Sequence, residues 1–349
     1  MQKKTKLDFH DLQIMPAAIS KIGSRSEINP YKKNGFLPLM TAPMDTVIDE
    51  INGELFLKNK INAVLPRGEQ IYWHGTEFAF NSYGLDEFIS KFVNVDDMSL
   101  CFAKEHTNYA LIDVANGHMQ KLLDTVRKSK EMYGDRLILM VGNIANPETY
   151  EILSEAGADY LRISIGNGGA CLTAKQLSIG YPTASLLMEC KKLKGKHNLK
   201  ANIIADGGMK SYSDIIMSLA LGADYVMIGS IFNKCLESCG DTYLFNTIKI
   251  NQYSKFAKWL FKNNFKLTKK FRGMSTKEVQ RKWNRKTIKT SEGVSKKQNV
   301  EYTIEKWVEN FEDYLRSAMS YVDAKTLEEF SKKAEIIKIS NNAYNRFNK

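Results

Sequence analysis

Three glycine-rich stretches, each following an apolar run, hold most of the residues that could do chemistry. The first is IGNGGACLTAKQLSIGYP (165–182). Gly166, Gly168 and Gly169 let the backbone turn tightly and expose N–H and C=O groups to a ligand, and Cys171 sits at the tip. A thiolate on such a loop is a nucleophile able to form and then release a covalent bond. A free cysteine is otherwise most often a small buried hydrophobe, and Cys101, Cys190, Cys235 and Cys239 have only that setting. The second stretch is ADGGMKS (205–211). Asp206 there can accept hydrogen bonds from sugar hydroxyls while the N–H groups of Gly207 and Gly208 meet a phosphate. A tight turn capped by Asp206 accounts for the same letters equally well. The third is IGSIF (228–232), where Gly229 and Ser230 open a helix and offer backbone N–H groups and the helix dipole to an anion. DVANGH (113–118) adds Asp113 at another strand end, with His118 read as a turn residue. The five histidines show no HExxH-type spacing, so no catalytic transition metal is expected.

These stretches need a frame that brings strand ends together. Eight short apolar runs are expected as strands: 36–44, 61–67, 99–105, 109–115, 137–144, 160–166, 202–208 and 225–230. They are rich in Ile, Leu and Val and nearly continuous in apolarity, as strands buried on both faces are. Between them lie helices. NPETYEILSEAGA (146–158) opens on an Asn cap with Pro at the first helical position, and SYSDIIMSLALGA (211–223) stops at Gly222. The phrase "helix, GAD, strand" occurs twice, in AGADYLRISIG and LGADYVMIGS. Eight strands alternating with helices favour a closed (β/α)8 barrel over an open doubly wound sheet, and no GxGxxG follows an early strand. Barrels place function at the C-terminal strand ends and often bind phosphate after strands seven and eight, where the second and third stretches fall. After residue 245 the pattern changes to a basic, aromatic segment. The reading is one domain over 1–349, a TIM barrel with a flap or insertion around 265–300, followed by C-terminal helices at 302–322 and in AKTLEEFSKKA.

Composition narrows the class. Hydrophobic residues make up 43% and charged residues 26%, which are globular values. No apolar run is long enough to span a bilayer, and MQKKTKLDFHDL lacks the apolar core of a secretory signal. Five cysteines without a CxxC pair suit free thiols in a reducing cytoplasm. The net charge of +11 concentrates in roughly 255–300, with Trp259, Phe261 and Trp283 as conceivable stacking partners for nucleic acid. No nucleic-acid motif accompanies them, so a solvated surface, or one that attracts phosphorylated small molecules, is preferred.

Taken together, APMDTV (42–47), DVANG (113–117), GNGGACLT (166–173), ADGG (205–208), RGMS (272–275) and SEGV (291–294) resemble the IMP dehydrogenase/GMP reductase family, in order and nearly end to end. The resemblance is closer to the reductase form. There is no room for the CBS modules usual in the dehydrogenases. Arg285 is followed by Lys286, so the segment lacks the Arg-Tyr pair that resembles the water-activating group of the dehydrogenase flap.

The resemblance implies NADPH-dependent reductive deamination of GMP to IMP. Cys171 would attack the purine C2, with Thr173 and Glu292 acting together on protons. It also implies that Gly168, Gly169, Asp206, Gly207, Gly208, Gly229 and Ser230 hold the nucleotide's sugar and phosphate. Gly273, Met274, Ser275, Ser291, Glu292 and Gly293 would read its base. Asp113, Val114, Ala115 and Arg67 would meet the dinucleotide, with Ser24, Arg25 and Ser317 reaching it across a subunit boundary. Carbonyls of Gly166, Gly168 and Cys171 would hold potassium, and the assembly would be a homotetramer. Some positions depart from the family. Gly169 stands where a phosphate-touching serine is usual, Ser230 replaces a common glycine, and LPRGE (65–69) lacks the usual His-rich pattern around Arg67. Two alternatives stay open: a dehydrogenase core making XMP from IMP with NAD, and an inactive nucleotide-binding barrel.

Overall fold

A computed structural model of the chain describes residues 5–69, 79–94, 107–282, 290 and 293–347. Strand β1 (Leu12–Met15) lies outside the main sheet. Eight parallel strands form the barrel: β2 (Leu39–Thr41), β3 (Ala63–Val64), β4 (Ala79–Tyr83), β5 (Asn108–Asp113), β6 (Leu137–Ile144), β7 (Tyr160–Ile163), β8 (Asn202–Asp206) and β9 (Tyr225–Ile228). From β3 to β9 each pairs with the next, β2 pairs with β9, and a Met40–Asn62 bridge joins the remaining edges. The period of two along the strands divides two cores. Met40, Val64, Phe80, Leu111, Met140, Ile204, Tyr225 and Met227 fill the barrel. Their neighbours, such as Leu139, Val141, Ile203, Ala205 and Val226, face outward into the layer under the helices. Burying each such side chain contributes roughly 1.5–3 kcal/mol.

The third stave, β4, was not foreseen. Its AFNSY sets the polar pair Asn81–Ser82 in mid-strand where its neighbours are apolar, and the segment 99–105 expected in its place lies outside the described residues. The helices follow the capping signals. Asn146 accepts from the Glu148 N–H at the head of helix Pro147–Glu155. Ser211 and Asp214 form a capping box on helix Tyr212–Leu221, which ends at Gly222 with φ +111°.

The insertion expected around 265–300 is the later part of an antiparallel sheet of four strands: β10 (Thr242–Leu244), β11 (Ile248–Ile250), β12 (Leu267–Arg272) and β13 (Ser295–Asn299), ordered β11-β10-β12-β13. Helix Lys255–Lys262 lies between β11 and β12 in the chain. The C-terminal helix Ile304–Tyr321 buries Trp307, Phe311, Leu315 and Met319 at helical spacing, and Trp307 stacks on Tyr212 and Phe311. Trp307→Ala would cost about 3–5 kcal/mol. The chain returns as β14 (Glu335–Lys338), antiparallel to β1. Among the described residues no helix is long and apolar enough to cross a membrane.

Candidate active site

The barrel mouth opens into a cavity of about 400 Å³. Cys171, Thr173, Asp206, Gly207, Gly208, Gly229 and Ser230 all line it, as do Gly166, Gly168, Gly169, Gly273, Met274 and Ser275. Arg67, Asp113, Val114 and Ala115 line it too. The loop after β7 is held so that the Cys171 thiol donates to Thr173 Oγ1 at 3.3 Å, while the Cys171 N–H donates to the Gly168 carbonyl at 2.9 Å. This loop meets the loop after β8 backbone to backbone. A Cβ at Gly207, where φ is +81°, would lie 3.2 Å from the Cα of Gly168. Only glycine allows both the turn and the approach.

Cys190 and Cys235 are buried, whereas Cys171 and Cys239 are each partly exposed. Burial pushes the Cys190 thiol up to about 12 and raises those of Cys235 and Cys239, while Cys171 is partly open to the cavity. Cys101 lies outside the described residues. His118 is structural: Nε2 accepts from the Ala145 N–H at 3.1 Å, so Nδ1 carries the proton toward Thr149 Oγ1 at 2.9 Å.

Sequence reasoning missed the residue at the centre of the mouth. Arg162 on β7 has a side chain only 7% exposed. Its Nη1 donates to Asp113 at 2.8 Å, and its Nη2 and Nε donate to Asp206 Oδ2 at 2.9 and 3.2 Å. Asn143 Nδ2 donates to the same Oδ2 at 2.6 Å. Arg67 approaches the other oxygen of Asp113 at 3.4 Å. A chain of alternating charge thus crosses the mouth from Arg67 to Asp206. Burial alone would lower the Arg162 pKa, but attraction to Asp206 and Asp113 outweighs it and the net shift is upward. All three donors gather on Oδ2, so Asp206 Oδ1 has no hydrogen bond among the described residues and stands ready to accept. The missed signal was a lone charge inside the apolar run YLRISIG.

Arg272, at the end of β12, ties the antiparallel sheet to the barrel. Its Nε donates to Asp45 at 3.2 Å, Nη2 also bonds Asp45, and Nη1 pairs with Glu278. This fixes the start of the loop Gly273–Met274–Ser275 over the cavity. Gly273 N–H donates to the Val294 carbonyl at 3.0 Å, Val294 N–H donates to the Ala170 carbonyl at 3.1 Å, and Gly293 pairs with Cys171 in an antiparallel bridge. Gly293 therefore backs the loop that carries Cys171. Ser291 and Glu292 lie outside the described residues, as do Arg285 and Lys286.

A match to the IMP dehydrogenase / GMP reductase domain covers residues 99–347. The chain belongs to the IMP dehydrogenase/GMP reductase family. Curated relatives agree across their length. A GMP reductase of Onchocerca volvulus is 27% identical over 97% of this chain and 93% of its own. GMP reductase 2 of Homo sapiens is 28% identical over 96% and 94%. A GMP reductase of Buchnera aphidicola is 29% identical over 97% and 96%.

Two departures from the family pattern acquire a physical meaning. A Cβ at Gly169 would lie 3.9 Å from Ser230 Oγ. The hydroxyl missing at Gly169 thus has a neighbour at Ser230. The helix that Ser230 opens is a single turn, Ser230–Asn233, so it offers backbone N–H groups rather than a long dipole. Ser24, Arg25 and Ser317 do not line the cavity. Ser24 caps the turn Arg25–Glu27, which touches helix Ile304–Tyr321 carrying Ser317. Among the described residues no cluster of three or more His, Cys, Asp or Glu could hold a metal ion.

Proposed function

We propose that the chain catalyses NADPH-dependent reductive deamination of GMP to IMP, with ammonia as the second product. The observation that carries this reading is Cys171 beside Thr173, facing one cavity with Asp206 and with Gly207, Gly208, Gly229 and Ser230. In it, Asp206 Oδ1 accepts the ribose hydroxyls, and the glycine N–H groups with Ser230 hold the phosphate. Gly273, Met274 and Ser275, with Ser291 and Gly293, read the base. The purine C2 then comes to Cys171.

The thiolate adds to C2, and Thr173 with Glu292 moves a proton to the 2-amino group, which leaves as ammonia. A thioimidate between Cys171 Sγ and C2 remains. NADPH, when bound, supplies a hydride to C2. The C2–S bond then breaks, the thiolate is restored and IMP departs. The cavity end bounded by Asp113, Val114, Ala115 and Arg67 is polar on one side and apolar on the other, which fits a nicotinamide riboside. With no acidic or imidazole cluster among the described residues, backbone oxygens are the groups that would hold a cation here. Carbonyls of Gly166, Gly168 and Cys171 suit potassium, although that of Gly168 already accepts one N–H.

In this reading the enzyme is a cytoplasmic homotetramer. Ser24, Arg25 and Ser317 sit on adjoining surface elements away from the cavity, so they would reach only a neighbouring subunit's dinucleotide.

The test is anaerobic incubation with GMP and NADPH, following NADPH absorbance, ammonia and IMP. One NADPH consumed per ammonia and IMP formed, all lost in Cys171→Ala, is the expected result. NADH appearing from IMP and NAD would instead identify the dehydrogenase. Silence in both assays would leave a nucleotide-binding barrel.

A further inference from the structure

The antiparallel sheet carries a surface that the chemistry above does not use. From Thr242 to Lys277 the chain contains no Asp or Glu. Lys255, Lys258, Lys262 and Lys266 in this stretch are all exposed, and no carboxylate among the described residues pairs with them. Helix Lys255–Lys262, capped by Ser254, turns Ala257 and Leu260 inward, where Leu260 meets Leu236 and Leu267. At 100° per residue that leaves Phe256 and Trp259 outward among the lysines.

The aromatic rings continue beyond the helix. Phe256 and Trp259 lie 6.3 Å apart and nearly parallel, Trp259 and Phe265 lie 5.6 Å apart, and Phe265 and Phe245 lie 6.3 Å apart. The four are 38–55% exposed, with Ile248 beside Phe245 on the same sheet edge at 57%. A run of large apolar groups left in water among lysines that no described carboxylate pairs is not what a monomeric surface settles into by itself.

We propose that this surface docks the protein onto an anionic lipid bilayer, the rings entering the headgroup layer and the lysines meeting the lipid phosphates and carboxylates. A second copy seated face to face is disfavoured because it would bring two lysine-rich surfaces together. Single-stranded nucleic acid is disfavoured on two grounds. A base slotted between parallel rings needs about 7 Å, twice the stacking rise, and the nearly parallel pair is closer than that. The region from 242 to 271 also contains no arginine, the side chain best suited to stacking and bidentate phosphate recognition. The proposal is independent of the reaction assigned above.

The experiment is co-sedimentation of the full chain with phosphatidylcholine vesicles, with and without phosphatidylserine. It compares the natural protein with Phe256→Ala/Trp259→Ala and Lys258→Glu/Lys262→Glu. Thermal melting confirms that each variant folds, and single-stranded RNA binding and sedimentation velocity run alongside. We expect binding to the phosphatidylserine vesicles alone. The charge reversal should weaken it at least about 25-fold, at roughly fivefold per lysine, and the aromatic pair should abolish stable binding with melting unchanged. Failure to bind phosphatidylserine vesicles overturns the proposal. So does equal binding to neutral vesicles, or binding that neither folded variant alters. RNA retention, or an oligomer that the variants dissolve, overturns it when vesicle binding is absent.

Discussion

At the barrel mouth a buried cation is met by two carboxylates. In the antiparallel sheet alongside, a more deeply buried cation is met by no carboxylate of the described residues. Arg162 has Asp113 and Asp206 within 3 Å and its pKa is raised. Lys269 on β12 is fully buried and donates to the Ser238 carbonyl, with no carboxylate of the described residues in salt-bridge reach. Burial lowers its pKa to about 8, against weaker opposing pulls from Cys239, Cys235 and Glu237. The difference separates two uses of charge. At the mouth, paired ions fix the orientation of Asp206, so that one oxygen is held and the other is left for a ligand. In the sheet, the ammonium is a cost that surrounding packing offsets.

The largest effect should come from breaking the mouth. Arg162→Met leaves two carboxylates facing each other without their shared cation, and loss of one partner of a buried pair costs about 3–5 kcal/mol. Urea unfolding should show that loss, and the nucleotide KM should rise because Asp206 loses its fixed rotamer. Adding Asp206→Asn should return part of the stability but none of the binding. If Arg162→Met unfolds at the natural midpoint, the network does not contribute as argued.

The opposite sign is expected at Lys269. The unfolded chain keeps this proton to its usual 10.5 and the folded chain only to about 8. Between those values the unfolded state binds more protons, so stability rises with pH by up to about 3 kcal/mol. The buried thiols of Cys190, Cys235 and Cys239 pull the other way from about pH 9 in the natural protein and the variant alike, and Tyr150, Tyr160 and Tyr302, whose hydroxyls burial keeps protonated, do so above about pH 10. The comparison is therefore made between pH 8 and 10, against Lys269→Met. The natural protein should gain stability across that window relative to the variant. Parallel curves would mean that the ammonium is better solvated than its burial implies.

The two regions also differed in how far they could be read from sequence. Barrel strands announce themselves because both faces are apolar, and β5 to β9 fall close to where runs such as LILMVGNI place them. The glycine loops were legible because positive φ and close approach leave few other residues possible, as at Gly207. What escaped was long-range. Nothing local in YLRISIG says that its arginine meets acids 49 residues earlier and 44 later. The β4 stave failed for the reverse reason: Ser82 is buried because its hydroxyl bonds the Leu65 carbonyl, a partner that no pattern displays. The antiparallel sheet has short strands and lysines on both faces, so composition drew attention to its charge and not to its pairing.

Arg272 joins the two regions and should show an intermediate effect. Arg272→Lys keeps the charge but loses the two-pronged grip on Asp45, which is worth about 1–2 kcal/mol. Its other partner, Glu278, is half exposed and adds little. The expected signature is kinetic: the loop Gly273–Ser275 loosens, the nucleotide KM rises several-fold, and kcat changes less. A fall in kcat at constant KM would mean that the clamp serves the reacting groups and not base recognition.

The smallest effect should be at Ser164, and its sign is favourable. Ser164 is buried at the mouth with φ +139°, a conformation poor for any residue with a Cβ, and its N–H donates to the Ile144 carbonyl at 2.8 Å. Such strain costs about 1–3 kcal/mol. Ser164→Gly relieves it but adds about 0.5–1 kcal/mol of chain entropy to the unfolded state. The variant should therefore be more stable by roughly 1 kcal/mol, which differential scanning calorimetry can detect. Ser164 also lines the cavity. If Ser164→Gly melts higher and turns over more slowly, the mouth holds strain to keep a hydroxyl beside the ligand, whereas the sheet holds a cation that no described carboxylate pairs, with no such return. A lower melting point would mean that the backbone there is not strained and that the serine contributes contacts of its own.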